Sequence, residues 1–495
     1  MMGEIWSGFV AIGDPLTLLA IALGGVLGLV IGVLPGVGPG VAIAALLPLT
    51  YGVPPLAGIG LLLGVYVGAF YGGAVTSILI RTPGEASSIM TMFDGWPMAQ
   101  RGEAERALSL AFGSAFIGGI VSALVLALVA QPVSAFTSRF GAAENAMAAI
   151  FAAILVARAY QRQFSAALMM LGLGLLVGSV GFDNTSGTPR FTFGLVELQS
   201  GLPLVPMAIG LFGVAQALVL LSGPGLDAVR PAAKASRPHL GQFLEPFRYG
   251  KTLAKSVGIG TAIGVLPAVG AALSTTLAYF EAKRSSKEPE QFGRGHPEGI
   301  VAAEAANNSN SGGAMLTVLT LGIPGDAVTA IIMGVFVVHG VVPGPTLFAD
   351  RPELVNGIFA GLVVVNLAIV ITLFFTTRWL ASLTRVDPRW LGVCIMTFCV
   401  IGAYSTTNSF YSVWVAMGAG VLGWMCALAS IPVVPMVLGL VIGDTLESSL
   451  RQALTVSDGS FAIFVQRPVA AVLTAACLLS LLWPLIKPRP KVQSA

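Results

Sequence analysis

Apolar residues in this chain run in blocks, not in the narrow stripes of water-facing helices. Residues 15–80 contain no Asp, Glu, Lys, Arg or His. Written as helix at about 1.5 Å per residue, that block extends roughly 100 Å. A bilayer core is about 30 Å thick, so the block must cross it or turn back several times. Further apolar segments fall near residues 106–130, 141–157, 164–181 and 203–222. After a polar stretch they resume near 256–280, 300–322, 326–341, 354–377, 390–407, 409–428, 431–448 and 468–486. The pattern predicts an all-α polytopic membrane protein of about 10–14 transmembrane or re-entrant helical segments.

Glycine and proline interrupt these blocks at particular places. "VIGVLPGVGPG" (residues 30–40) has two prolines and four glycines, and "AIGVLPAVGAA" (residues 262–272) resembles it. Such residues break helices. A second pair follows in the same order. "GGAVTSILIRTPGEA" (residues 72–86) matches "GGAMLTVLTLGIPGDA" (residues 312–327) with one extra residue. Two ordered matches predict a duplicated unit. The expected organisation is a first membrane repeat over 1–222, a cytoplasmic linker over 223–255, a second membrane repeat over 256–466, and a final helix and cytoplasmic tail over 467–495. Residues 256–280 either span once or fold back; basic residues on both flanks favour a hairpin.

Composition agrees: 55% of the 495 residues are hydrophobic and 10% are charged, against about 25% charged in a soluble domain. The first apolar segment lacks a basic leader and a small-residue cleavage site, so it is expected to be retained. Cys394, Cys399, Cys426 and Cys477 all sit in apolar segments and read as small core residues. The net charge of +3 lies mostly in loops and reports topology, not nucleic-acid binding. Arg101, Arg106, Arg158 and Arg162 mark cytoplasmic loops of the first half, whereas Arg378, Arg385 and Arg389 follow a different helix of the second. Basic loops that change places between halves predict two inverted repeats with Gly/Pro-broken helices.

Broken helices in such halves expose backbone N–H groups suited to anions and C=O groups suited to Na⁺ or H⁺ carriers. The alternative for each motif is a kink or a tight crossing through small residues. Candidate substrate-binding residues are Pro35, Gly36, Gly38 and Pro39 of the first break, and Thr76, Ser77, Thr82, Pro83 and Gly84 of the second. Pro324 and Gly325, the later copy of that Pro-Gly pair, join them. Asn307 and Asn308 in "EAANNSNSGG" (residues 304–313) add amide donors and acceptors, unless this stretch is an exposed loop. Glu85 and Asp326 are the candidate cation-coupling acids, with a helix cap as the alternative. Asp183, Asn184, Arg190, Asp444, Glu447 and Arg451 read as helix-end charges, and His339 as structural. No cofactor or resident metal is expected beyond a transported Na⁺.

"YGGAVTSILIRTPGEASS", "FDGWPMAQRG", "FGRGHPEGIVAAEAANN", "LTLGIPGDA" and "HGVVPGP" together resemble the large membrane subunit (TctA family) of tripartite tricarboxylate transporters. The resemblance runs from about residue 15 to about residue 467. It implies a secondary transporter of the bacterial inner membrane that imports a carboxylate such as citrate, driven by a cation gradient. It also implies a small membrane subunit (TctB-like) and a periplasmic solute-binding protein (TctC-like) as partners. Two departures stand out: Ala268 follows Pro267 where the family usually has Gly, and "ANNSNSGG" replaces a more usual Ala-rich run. An intramembrane enzyme is disfavoured, because neither protease nor metal motifs are present at the required spacing. A channel fits paired breaks less well than alternating access does. A stand-alone carboxylate transporter without a binding protein is the remaining alternative.

Overall fold

The computed structural model describes residues 2–34, 37–160, 163–183, 186–222, 240–267, 269–383 and 388–486. Helices dominate: α1 (Met2–Ala11), α2 (Pro15–Gly32), α3 (Pro39–Leu46), α4 (Pro55–Ile80), α5 (Ile89–Gln100), α6 (Ala104–Thr137), α7 (Ala142–Ala159), α8 (Phe164–Gly178) and α9 (Leu204–Ser222). They continue with α10 (Gly250–Gly264), α11 (Gly270–Ser285), α12 (Pro297–Leu321), α13 (Ala327–Val338), α14 (Pro352–Leu383), α15 (Pro388–Thr407), α16 (Phe410–Leu428), α17 (Val434–Val456) and α18 (Pro468–Ile486). Among the described residues, eight helices are long and apolar enough to cross a membrane. The all-α multi-pass class read from the sequence is what the chain adopts.

Contacts divide the chain into two units, Met1–Ala135 with Pro203–Ser430, and Phe136–Leu202 with Ile431–Ala495. In the larger unit, helix ends follow local chemistry. Asp14 caps α2 by accepting the Thr17 N–H at 3.0 Å, and Pro15 takes the first helical position, where its missing donor is harmless. α2 ends at Gly32 and α3 begins at Pro39, and α10 ends at Gly264 and α11 begins at Gly270, so the helices stop where the Gly/Pro motifs interrupt the apolar blocks. Residues 256–280 fold back: α10 and α11 pack on each other and both pack on α12. Of the first break, Pro35 and Gly36 lie outside the described residues, as do residues 223–239 of the predicted linker and Ala268 of the second break.

The centre of the larger unit is built on α4 and α12. The most apolar window of α4 is 100% buried, so this helix meets protein on all sides and not lipid. Glycines permit the approach. A Cβ on Gly28 or Gly64 would collide with the backbone of Val65 or of residues 21–25, so α2 and α4 meet backbone to backbone. Gly264 does the same for α10 against α12, where its Cβ would lie 3.0 Å from the Ala314 nitrogen. Residues 304–313 are not an exposed loop. They form the fully buried middle of α12.

The smaller unit contains α7, α8, α17 and α18, with a two-stranded hairpin pairing Gly181 opposite Arg190. Several of its charges pair: Arg451 contacts Asp183 at 2.8 Å and Glu447 at 2.7 Å, and Arg190 contacts Glu447 at 2.9 Å. Glu144 at the start of α7 meets Arg467 at 2.8 Å. Asp183, Arg190, Glu447 and Arg451, read from the sequence as helix-end charges, instead pair with one another away from helix ends: Asp183 and Arg190 belong to the hairpin, and Glu447 and Arg451 lie within α17, which runs on to Val456. Asn184 lies outside the described residues.

Candidate binding site at the ends of the broken helices

The ends of α4 and α12 share one backbone design. Each helix closes on a left-handed residue, Arg81 with φ 55° and Gly322 with φ 65°. The N–H of that residue returns to the carbonyl of Thr76 in one case and of Thr317 in the other. Both threonine hydroxyls bond back onto their own helices, Thr76 to Gly73 O at 3.1 Å and Thr317 to Ala314 O at 2.9 Å. Thr82 likewise donates to Ile80 O at 3.3 Å.

Pro83-Gly84 and Pro324-Gly325 then seat the chain against two helices at once. A Cβ on Gly84 would clash with Gly32 O and lie 2.7 Å from Gly73 Cα. One on Gly325 would lie 2.7 Å from Gly264 O and 2.6 Å from Ala314 Cα. These contacts fix the register: residues 72–86 fall on 313–327 without a gap. The extra residue expected in the second copy is therefore a correction. It came from matching Gly72-Gly73 to Gly312-Gly313, whereas the backbone matches Gly73 to Ala314. The tight crossing through small residues thus describes Gly84 and Gly325.

The breaks face the acids. Gly38 precedes Pro39 at the start of α3, and a Cβ on it would find Glu85 Cβ at 3.9 Å. At the start of α11, a Cβ on Gly270 would find Asp326 Cβ at 3.8 Å. From here the chemistry of the two copies diverges. Asp326 caps α13: its Oδ1 accepts the Thr329 N–H at 2.7 Å and hydroxyl at 2.8 Å, and its Oδ2 accepts the Tyr66 hydroxyl at 2.7 Å. Glu85 stands at the head of a single turn, Ala86–Ser88, and makes no cap bond. Its Oε1 accepts from the Ser87 hydroxyl and, at a long 3.4 Å, from Asn307 Nδ2.

Around Glu85 lies a buried polar cluster. Glu304 of α12 is fully buried and accepts from the hydroxyl of Thr91 on α5. Asn308 Nδ2 donates to Glu304 O at 3.4 Å, and Ser274 of α11 donates to Asn310 Oδ1 at 3.3 Å. Ser88 rests on Gly73, whose Cβ would lie 2.5 Å from Ser88 Oγ and 3.2 Å from Glu85 Cγ. Ser77 is one turn further along that face of α4. Several of these atoms find no hydrogen-bond partner among the described residues: Ser77 Oγ, Ser88 Oγ, Glu304 Oε2, Asn307 Oδ1, Asn308 Oδ1 and Asn310 Nδ2. Buried polar groups are ordinarily satisfied, so such a concentration is unusual for a site with no ligand.

Sequence reasoning did not single out Glu304, Ser88, Thr91 or Tyr66, nor the role of Asp94. The Asp94 carboxylate is fully buried in α5, and its Oδ1 accepts the N–H groups of Gly293, Gly295 and His296 at 2.8 Å each. Its Oδ2 accepts the Tyr279 hydroxyl at 2.7 Å. Arg101, further along, donates to Arg294 O at 2.6 Å and Gly295 O at 3.0 Å. Together they hold the turn that leads into α12, on which Glu304, Asn307 and Asn308 ride. The available sequence signal was the glycine pair Gly293 and Gly295 in "FGRGHP", which here takes positive φ and turns its N–H groups toward the carboxylate. His339 ends α13 and is half-buried.

An all-α membrane protein with a buried polar centre beside broken helices belongs to the class of multi-pass transport proteins. A family described as "Tripartite tricarboxylate transporter TctA family" matches residues 18–438. The chain belongs to that family. It is 37% identical over 493 residues, 98% of this chain and 97% of the relative, to the "Uncharacterized 52.8 kDa protein in TAR-I ttuC' 3'region" of Agrobacterium vitis. It is 36% identical over 232 residues, 46% of this chain and 96% of the relative, to the "Uncharacterized protein in TAR-II ttuC' 3'region" of the same organism. No solved structure matches.

Proposed function

We propose that this chain is the large membrane subunit of a cation-coupled secondary transporter in the bacterial inner membrane. It imports a carboxylate, a tricarboxylate such as citrate or a related organic acid. A periplasmic solute-binding protein delivers the substrate, and a small membrane subunit completes the assembly. Family membership supports the tripartite setting. The observation that carries the cation-coupled character of this reading is the set of unpartnered polar atoms, mostly acceptors, buried around Glu85 and the middle of α12. Membrane-buried polar atoms are retained for ligands, because each is costly without one.

In this reading the substrate carboxylate meets backbone N–H groups at the first break, those of Gly38 and Gly40 on either side of Pro39, which has none. Free N–H groups at a helix start suit an anion. Asn310 Nδ2 and the hydroxyl of Ser77 are further donors within the same unit. The two halves lie in opposite orientations, so that a movement of one element against its counterpart exposes the site inward. Vesicles containing this chain and its small subunit test the reading, with a panel of carboxylates under imposed Na⁺ or pH gradients. Gradient-driven uptake of one carboxylate class, dependent on added periplasmic binding protein, is expected. Uptake without that protein identifies a stand-alone transporter, and no carboxylate uptake under either gradient overturns the assignment.

A further inference from the structure

Glu85 and Glu304 approach one polar centre in the interior of the larger unit. Asn307 donates to Glu85, Thr91 of α5 donates to Glu304, and Asn308 lies one turn after Glu304 on α12. Neither carboxylate forms an ion pair among the described residues. By contrast, Asp326 has both oxygens occupied by Thr329 and Tyr66. Buried carboxylates without a basic partner need a compensating positive charge or a proton.

The unpartnered atoms discriminate between ligands. Glu304 Oε2, Asn307 Oδ1 and Asn308 Oδ1 are acceptors, and the hydroxyl oxygens of Ser77 and Ser88 accept as well. Four of these residues, Ser77, Ser88, Glu304 and Asn307, are 0% exposed. An anionic substrate would meet two carboxylates and a row of acceptors, which repel it. A proton shared by the two acids would provide one donor and leave the amide oxygens of Asn307 and Asn308 unpaired. A dehydrated alkali cation satisfies several oxygens at once, and hard cations are bound by such mixed carboxylate and neutral oxygen sets. Among the described residues, no group of three or more His, Cys, Asp or Glu side chains is placed to hold a metal, as a tightly held divalent ion would favour.

We propose that Glu85, Ser88, Glu304, Asn307 and Asn308 form the site of a monovalent oxygen-liganded cation, Na⁺, and that this is the coupling ion. The proposal rests on the transport reading above and narrows it. It moves Asn307 and Asn308 from substrate recognition to cation binding, and it pairs Glu85 with Glu304 in place of Asp326. The helix α12 thereby carries the ion site, while the Gly/Pro break leading into α3 remains for the anion.

Thermal unfolding of the purified full-length chain tests the site, with NaCl titrated against KCl and choline chloride at constant ionic strength. Na⁺ is expected to raise the midpoint saturably, with K⁺ and choline leaving it unchanged. Glu304→Gln and Asn307→Ala should weaken the apparent Na⁺ affinity at least tenfold. Glu281→Gln, which alters an exposed pair with Lys255, should keep the wild-type response. The midpoint in choline reports whether each variant is folded, and the wild-type Na⁺-against-K⁺ comparison stands without either variant. No saturable Na⁺ effect on the wild type overturns the site, as does a wild-type Na⁺ response in both variants. The transport reading fails separately: an intact Na⁺ titration with no carboxylate uptake removes the substrate and keeps the site. Carboxylate uptake driven by a pH gradient with no Na⁺ titration does the reverse.

Discussion

At the end of α4 and again at the end of α12 the backbone takes the same course. A left-handed residue closes the helix, a Pro-Gly pair sits against two neighbouring helices, and an acid follows. The acids then part company. Asp326 is locked by the Thr329 N–H, the Thr329 hydroxyl and Tyr66 into capping a 12-residue helix. Glu85 heads a three-residue turn, has no cap bond, and leans on Asn307 through a long contact. The difference follows from what comes next in each copy. Thr329 stands at the third position of α13, where a hydroxyl completes a reciprocal cap. In the first copy Ser87 is only two residues from Glu85, and it binds the carboxylate directly. One backbone device therefore serves two purposes, a sealed joint in the second copy and an open polar centre in the first.

The shared part of the device predicts the largest effects. A leucine at Gly84 would be driven into the backbone of Gly32 and Gly73, and one at Gly325 into Gly264 and Ala314. Neither set of atoms is a flexible side-chain end, so each substitution should destabilise the folded chain by about 3 kcal/mol. Thermal unfolding in detergent and the yield of monodisperse protein measure this. The comparison breaks if Gly84→Leu folds normally while Gly325→Leu does not, because the two seats would then differ.

The divergent part predicts an asymmetry. Asp326→Ala removes a helix cap and leaves the Tyr66 hydroxyl buried without an acceptor, for a loss of about 2 kcal/mol. Glu85→Ala removes no cap and only one long amide contact besides Ser87, so it should cost less than about 1 kcal/mol. The same unfolding measurement ranks them. Equal losses would mean that Glu85 is held as firmly as Asp326, and would remove the contrast drawn above.

Much of this joint was legible in the sequence, because Pro, Gly and an acid at fixed spacing are local signals. That the helices stop near Gly32 and near Gly264 follows from residue types within a few positions, and basic flanks favoured a hairpin over 256–280. The left-handed end at Arg81 does not, because a residue with a Cβ rarely takes positive φ. The polar centre was legible only by half. Asn307 and Asn308 stood out as amides inside an apolar domain, yet Glu304, three residues before Asn307, was given no role of its own. Its burial depends on α12 being surrounded by α4, α5, α10 and α11, which no local pattern states. Tyr66 was hidden in an apolar run, and its partner Asp326 lies 260 positions away. Asp94 was hidden for a similar reason: three of its four donors are backbone N–H groups about 200 residues downstream, and the fourth, the Tyr279 hydroxyl, lies 185 positions away. The one-residue slip in the repeat arose because identity favours Gly on Gly. Packing requires only that the residue against Gly84 or Gly325 be small.

The smallest expected effect concerns the two glycines that face the acids. Gly38 and Gly270 occupy matching places after the breaks, and a Cβ on either would approach only the acid's own Cβ, at 3.9 and 3.8 Å. Space therefore does not separate them. Backbone conformation does: Gly38 has φ −73°, open to any residue, whereas Gly270 has φ 71°. An alanine at Gly270 must adopt the left-handed region, at about 1–2 kcal/mol. An alanine at Gly38 loses only the modest preference for glycine over alanine at a helix N-cap, within about 0.5 kcal/mol. Unfolding midpoints of Gly38→Ala and Gly270→Ala compare the two directly. A larger loss at Gly38 would mean that the room between this break and Glu85 is needed to keep the fold, and would close the first copy as tightly as the second. A small loss at Gly38 leaves that space free for a ligand, as the open centre around Glu85 requires.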